Sequence, residues 1–213
     1  MKKVLSFVLL VVISLSASAE MPSASGLQDI QSRWAQINYQ QEEGDARTDA
    51  FEALIKDAEA LVSREPTADN YIWLGIVQST TAGAKGGLGA LSYAKAARKS
   101  LEKALSIDEN ALQGSALTSL GVLYHKVPGW PIAFGSDKKA KKLLTQALKI
   151  NPDGIDPNYF YAEFLFDEGD YQDAMAHLNK ALAASPRPDR PLADEGRRGE
   201  IQALIAKVDN KLH

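Results

Sequence analysis

Few side chains in this sequence are suited to catalysis or metal binding. Its 213 residues include three histidines and no cysteine, which excludes thiol nucleophiles and thiolate metal sites. His213 is the last residue, His177 is expected at the surface of a helix, and no two histidines have the spacing of a metal-binding pair. His125 is predicted to end a helix beside a long loop. There it could bind a ligand, act as a base, or interact with the last carbonyls of its helix.

Two other motifs resemble catalytic or phosphate sites but have simpler explanations. The glycine-rich stretch 83–90 (GAKGGLGA) lacks the following Gly-Lys-Ser/Thr and the preceding strand of a phosphate-binding loop, so we expect a flexible connection between helices. The carboxylates of Glu163 and Asp170 are expected in a helix and at a turn, where solvated or capping roles are typical. The aromatic run 159–166 is expected to pack between helices. The sequence therefore predicts a binding protein, not an enzyme, without a cofactor or metal.

An internal repeat determines the predicted fold. Five residue types recur at one constant spacing: Ala140 and Ala174, Leu144 and Leu178, Ala147 and Ala181, Leu148 and Leu182, Pro152 and Pro186. Small residues let two antiparallel helices approach closely, leucines fill the space between successive pairs, and the prolines stop the second helix. Earlier in the chain, 117–125 echoes 71–79, each with a central Leu-Gly.

This pattern resembles the tetratricopeptide repeat, whose period of about 34 residues equals the spacing of these pairs. The resemblance implies an all-α fold, a right-handed α-solenoid of antiparallel helix pairs, over residues 20–190. Asp156 with Pro157, and Asp49 with Glu52, are expected to cap helix starts.

After the proline-punctuated linker 187–191, residues 191–213 are predicted to form a C-terminal capping helix. Its apolar stripe contains Ile201, Leu204, Ile205 and Val208. A partner-binding amphipathic helix is the alternative for this segment.

Two insertions interrupt the repeat pattern. One is the Val127 to Ser136 loop, and the other is the stretch 79–99, and both fall between the first and second helix of their repeats. Because stacked repeats place equivalent connections on one edge, we expect the two to be neighbours. They would form a lip for a partner or ligand, and the candidate contacts are Trp130, Phe134, Leu88 and Tyr93, beside His125. Alternatively, Trp130 and Phe134 fold back to cover the helix pair.

Residues 1–19 have the features of a cleaved export signal. Lys2 and Lys3 precede a run of twelve mostly apolar residues, 4–15, which is shorter than the roughly 20 that span a bilayer, and Ala17-Ser18-Ala19 has the small residues of a cleavage site. Without cysteine there is no acceptor for a lipid anchor, so we expect a soluble periplasmic protein without a membrane span. Cleavage changes the formal net charge from −3 to −5, which gives little reason to bind nucleic acid.

The stretch 119–165, with its long loop and the segment NPDGIDPNYFY, resembles exported bacterial repeat proteins that include the T-component of tripartite ATP-independent periplasmic transporters. That resemblance implies help to a solute-binding protein in handling apolar ligands. Such components are often lipid-anchored, and this chain has no cysteine for an anchor. Two hypotheses follow. The first is a periplasmic scaffold for a protein partner, and the alternative is a T-component-like protein that binds a small apolar solute near Trp130.

Overall fold

The computed structural model describes residues 26–213, and the predicted signal segment lies outside them. In this range the regular structure is helical. The helices are α1 (Leu27–Gln40), α2 (Asp45–Arg64), α3 (Ala68–Lys85), α4 (Ala90–Ile107), α5 (Ser115–Lys126), α6 (Asp137–Ile150), α7 (Ile155–Asp167), α8 (Tyr171–Ala183) and α9 (Pro191–Leu212), with a 3-10 turn at Ala111–Gln113 before α5. None of the helices in the described range is long and apolar enough to cross a bilayer.

The helices form consecutive antiparallel pairs that stack as a helical repeat solenoid. Helices α1, α3, α5 and α7 contact one another in sequence and form the inner layer. Helices α2, α4, α6 and α8 each pack against their own partner and against the first helix of the next pair. The predicted all-α repeat fold is therefore confirmed.

The repeated small residues and leucines form the core between pairs. Ala140, Ala147, Ala174 and Ala181 are fully buried, as are Leu144 and Leu178 to within 1%. A Cβ at Gly75 would lie 2.6 Å from Leu101 Cγ, and one at Gly121 would lie 2.8 Å from Leu144 Cγ. Such distances are well below van der Waals contact, so the two glycines allow the first helix of a pair to approach the second.

The predicted helix starts were wrong in detail. The N-cap of α7 is Gly154, and Asp156 lies inside the first turn with its carboxylate bound to arginines of the C-terminal segment. Helix α2 already begins at Asp45, so Asp49 does not cap it. Glu52 instead accepts hydrogen bonds from Tyr93 Oη at 2.8 Å and Lys85 Nζ at 3.0 Å. Because these partners are distant in the chain, the local spacing of residue types could not show that Glu52 and Asp156 make tertiary contacts and do not form caps.

The first insertion, at 79–99, is mostly helical and not a loop. Helix α3 continues to Lys85 and α4 begins at Ala90, which leaves a short turn, 86–89. Alanine-rich sequence favours helix on both sides of this turn, and the two glycines 86 and 87 adopt the positive φ that ends α3. The insertion therefore lengthens one helix pair. The second insertion, by contrast, is a true loop.

Helix α9 has two kinds of contact. Its second half packs on α8 through the predicted stripe, where Ile201 and Val208 are fully buried. Its first half turns inward and contacts α7 and α1. A Cβ at Gly196 would lie 2.4 Å from the Tyr39 ring of α1, so the approach is very close. The last helix thus bridges both ends of the inner layer and covers part of the concave face.

Candidate binding surfaces

The Val127–Ser136 loop is built on α5 and held by backbone hydrogen bonds. Gly135 N donates to Pro128 O at 2.9 Å, and Ser136 N donates to Tyr124 O at 2.8 Å. A Cβ at Gly135 would lie 1.8 Å from Val127 O, so the two sides of the loop meet there. The side chain of Ser136 then caps α6 by accepting from Lys139 N. These contacts close the loop at its base and fix where its tip projects.

The loop places its two aromatic residues on opposite sides. Phe134 packs edge-to-face on Tyr124 with ring centroids 5.5 Å apart, and the Arg98 guanidinium lies 5.0 Å above the Phe134 ring. Trp130, however, is 90% exposed, and Ile132 is 65% exposed. Phe134 therefore anchors the loop to the helix pair, while Trp130 and Ile132 project into solvent. Phe134 thus folds back onto the helix pair, as the alternative interpretation expects, whereas Trp130 does not, and a binding role for Trp130 stays a prediction.

A basic surface begins directly after the loop, on α6. The first two turns of α6 carry Lys138, Lys139, Lys141 and Lys142, all exposed. None of the four forms an ion pair within residues 26–213, and only Lys139 has an aromatic partner, at 5.0 Å from the Tyr124 ring centroid. Although the chain has a formal net charge of −3, these four lysines make this part of the surface locally positive. We call Trp130, Ile132 and these four lysines the tryptophan edge.

Leu88 and Tyr93 occupy different environments. Leu88, in the short turn between α3 and α4, is 89% exposed. Tyr93 is half-buried, packs against the core and donates its hydroxyl to Glu52. Hydrogen bonds from Tyr93 and Lys85 lower the pKa of Glu52. Tyr93 therefore ties α4 to α2, and Leu88 is the exposed apolar residue of the first insertion.

His125 lies between two carboxylates. Its Nδ1 is 2.8 Å from Asp137 Oδ1, and its Nε2 is 2.9 Å from Asp167 Oδ2. The ring also contacts Phe164 edge-to-face at 5.0 Å, and its side chain is 11% exposed. Although burial acts in the opposite direction, hydrogen bonds from Lys126 and His125 keep the pKa of Asp167 below its ordinary value. This arrangement joins α5, α6 and α7 at the base of the loop and positions the loop.

His177, expected at the surface, is only partly exposed. It is half-buried, and its Nδ1 lies 2.9 Å from Asn158 Oδ1 of α7. Burial lowers the pKa of its imidazole. His177 therefore contributes to packing between α7 and α8. No cluster of three histidine or acidic side chains able to hold a metal occurs in the part of the chain that the structure describes.

An arginine cluster on the concave side was not anticipated from the sequence. Asp156 accepts from Arg187 Nη1 at 2.6 Å and from Arg197 Nε at 2.9 Å, and Arg187 also binds Asp194. Burial alone would raise the pKa of Asp156, but the attraction of Arg197 and Arg187 lowers it to about 2. Arg197 also pairs with Glu200. The cluster ties the linker and α9 to the first turn of α7.

A cleft opens beside this cluster, between the inner layer and the linker that precedes α9. Its volume is about 760 Å³, and it adjoins an inner chamber of about 110 Å³ between α1, α3, α5 and α9. Six residues line both spaces: Trp73, Ser115, Thr118, Asp156, Arg187 and Arg190. The signal in the sequence was the pair of arginines in the linker 187–191. The sequence could not show that these arginines line a cleft, because the residues that face them come from helices far earlier in the chain.

Comparison with known proteins identifies part of the chain. Residues 138–208 match the family model of the tetratricopeptide repeat. The match runs from the first turn of α6 into α9 and includes the recurring alanines and leucines. No curated protein matches the sequence.

Proposed function

Because this is a tetratricopeptide-repeat-containing protein whose helix pairs stack as a solenoid, we propose that it is a periplasmic adaptor that binds a protein partner at the tryptophan edge. The observation that carries this proposal is the exposure of Trp130 on a loop with an ordered base. Tryptophan is enriched among residues that dominate binding energy at protein interfaces. A held loop also loses less conformational entropy on binding than a free one.

The surroundings of Trp130 indicate the chemistry of the partner. Trp130 and Ile132 offer an apolar projection, so the partner should present an apolar pocket. The unpaired lysines of α6 beside it favour carboxylates around that pocket, since complementary charges accelerate association and exclude wrong partners. Leu88 is an additional candidate contact.

The export signal predicted in residues 1–19 and the absence of cysteine support a periplasmic location without a lipid anchor. Binding, not catalysis, fits the chain, because His125 bridges two carboxylates between helices and Asp156 is engaged by Arg187.

The adaptor function is tested by affinity purification from periplasmic extract with the wild-type protein, Trp130→Ala and Ile107→Ala. Ile107 is also exposed, at 45%, but lies at the end of α4 and serves as the control. We expect Trp130→Ala to lower the affinity for the partner about 30-fold, equivalent to about 2 kcal/mol, while Ile107→Ala leaves the affinity unchanged.

Because Trp130 is solvent-exposed, its replacement should leave the melting temperature unchanged, so loss of binding would not reflect unfolding. A Lys138→Glu, Lys142→Glu double variant should slow association and reduce its dependence on salt. Recovery of the same partners by wild type and Trp130→Ala in equal amounts would refute the adaptor proposal at this edge.

The cleft favours a second function. Its inner chamber is lined by Trp34, Tyr39, Trp73 and Phe160, and such aromatic-lined cavities typically hold small molecules. This supports a small-molecule-binding function like that of the transporter T-component, with the site in the cleft instead of near Trp130. Binding of an apolar solute that quenches tryptophan emission in a Trp130→Phe background would support it, because Trp34 and Trp73 would then be the reporters.

A further inference from the structure

Arg190 has a guanidinium that no carboxylate of the described chain contacts directly. It lines both the cleft and the inner chamber, and its guanidinium lies 4.8 Å from the ring centroid of Trp73. Its Nε is buried without a hydrogen-bond partner, and within residues 26–213 no carboxylate pairs with it. The three acids of the cluster, Asp156, Asp194 and Glu200, are engaged by Arg187 and Arg197 instead.

An unpaired arginine in this position is energetically unfavourable. Burial lowers its pKa and the charge of Arg187 lowers it further, while the more distant carboxylates of Asp156, Asp194 and Asp189 offset only part of this effect. Arginine nevertheless stays charged at neutral pH, so the cation is held half-buried against an aromatic ring. An anion entering the cleft would restore the missing partner and could form the bidentate pair that guanidinium makes with carboxylate.

Other groups around the cleft lack partners as well. Ser79, Ser115 and Ser119 are half-buried on α3 and α5, line the inner chamber, and make no side-chain hydrogen bond within the described chain. Ser115 is also the first residue of α5, where backbone N–H groups are not used by the helix. The chamber that Arg190 lines therefore also offers hydrogen-bond donors to a ligand.

The inner chamber sets the size and shape of what can enter. Apolar walls come from Ile76 and Val122, and four aromatic rings complete them. A volume of about 110 Å³ is smaller than that of an apolar cavity of about 150 Å³ that holds benzene in another protein, so the chamber has room for no more than one small ring. The chamber is thus suited to a single small ring, and the larger cleft outside it admits the rest of a ligand.

We propose that this cleft binds a small organic carboxylate carrying one planar ring, with the carboxylate on Arg190 and the ring in the chamber beside Trp73. The inference rests on the second, small-molecule function proposed above and names its ligand class. It does not depend on the tryptophan edge.

The test is titration calorimetry of the purified protein with phenylacetate and with 2-phenylethanol, which has the same ring and no charge. The variants are Arg190→Gln, Arg190→Lys and the control Arg98→Gln, whose arginine pairs with Glu102 on α4. Phenylacetate should bind wild type and Arg98→Gln alike. Arg190→Gln should weaken it about 10- to 100-fold, as expected for loss of a charge-assisted hydrogen bond. Arg190→Lys, which keeps the charge, should recover part of the affinity.

Three results would overturn the inference. The first is absence of phenylacetate binding to wild type at concentrations up to about 10 mM. The second is equal binding of phenylacetate by wild type and Arg190→Gln. The third is equal affinity of wild type for phenylacetate and 2-phenylethanol, which would leave the cleft as a site for apolar solutes and remove only the anion.

Discussion

Two glycines of α9 should respond oppositely to the same substitution. Gly196 and Gly199 lie one helical turn apart. A Cβ at Gly196 would lie 2.4 Å from Cδ1 and Cε1 of Tyr39, whereas a Cβ at Gly199 would meet nothing within 4 Å. Gly199→Ala should therefore stabilise the protein and Gly196→Ala should destabilise it.

The expected magnitude follows from two terms. Replacing glycine by alanine in a helix contributes about 0.5 to 1 kcal/mol of stability at either position, because the unfolded chain loses freedom. At Gly196 the added methyl must displace the Tyr39 ring, which is held edge-to-face against Trp34 at 5.8 Å. Overpacking of this kind costs about 1 to 3 kcal/mol. The difference in free energy of unfolding between the two variants isolates that second term.

Urea unfolding followed by far-UV circular dichroism measures both variants. In a Tyr39→Ala background the steric cost should disappear, so Gly196→Ala should then behave like Gly199→Ala. If Gly196→Ala is as stable as Gly199→Ala in the wild-type background, then α9 does not pack on α1 and the closure of the inner layer is refuted.

Three further predictions concern stability. Asp156→Asn should lower the free energy of unfolding by about 3 kcal/mol, because it leaves buried arginines without a carboxylate partner. As a control, Asp57→Asn, which breaks a more exposed ion pair, should lower it by less than about 1 kcal/mol. Similar losses for the two variants in denaturant titrations would contradict this prediction. A carboxyl whose pKa is lower in the folded state than in the unfolded state stabilises the folded protein at pH values above its unfolded-state pKa. The contribution of Asp156, roughly 2.5 kcal/mol, should thus be lost as pH falls from about 4 to about 2, and the acid-induced loss should be smaller in Asp156→Asn. Gly121→Ala should lower the melting temperature because its methyl group would clash with Leu144. An unchanged midpoint in thermal denaturation would show that the surrounding core side chains rearrange to accommodate the methyl group.

Much of the fold could be predicted because the repeat signal is local. The alternation of small residues and leucines reports which face of each helix is buried, and their recurrence at a constant spacing shows that neighbouring pairs are equivalent. Ala140 and Ala174, predicted from spacing alone, are both fully buried. The capping patterns at Asp49 and Asp156 failed for the opposite reason, since both regions are governed by contacts with distant helices.

For the candidate sites too, local features could be predicted from the sequence and tertiary contacts could not. The loop at 127–136 was visible in the sequence because it interrupts a period, but its composition could not show that Phe134 packs inward and Trp130 points outward. That depends on Tyr124 and Arg98, which meet the loop only after the helices have stacked.

The helix pairs, their order and the position of the inserted loop can be predicted from the spacing of residue types, since each pair repeats the same local pattern of small residues and leucines. The contact of α9 with α1 and the position of Arg190 against the Trp73 ring, in contrast, arise only when the helices stack. Both contacts join residues that are far apart in the chain, and no periodicity along the sequence encodes a contact at that separation.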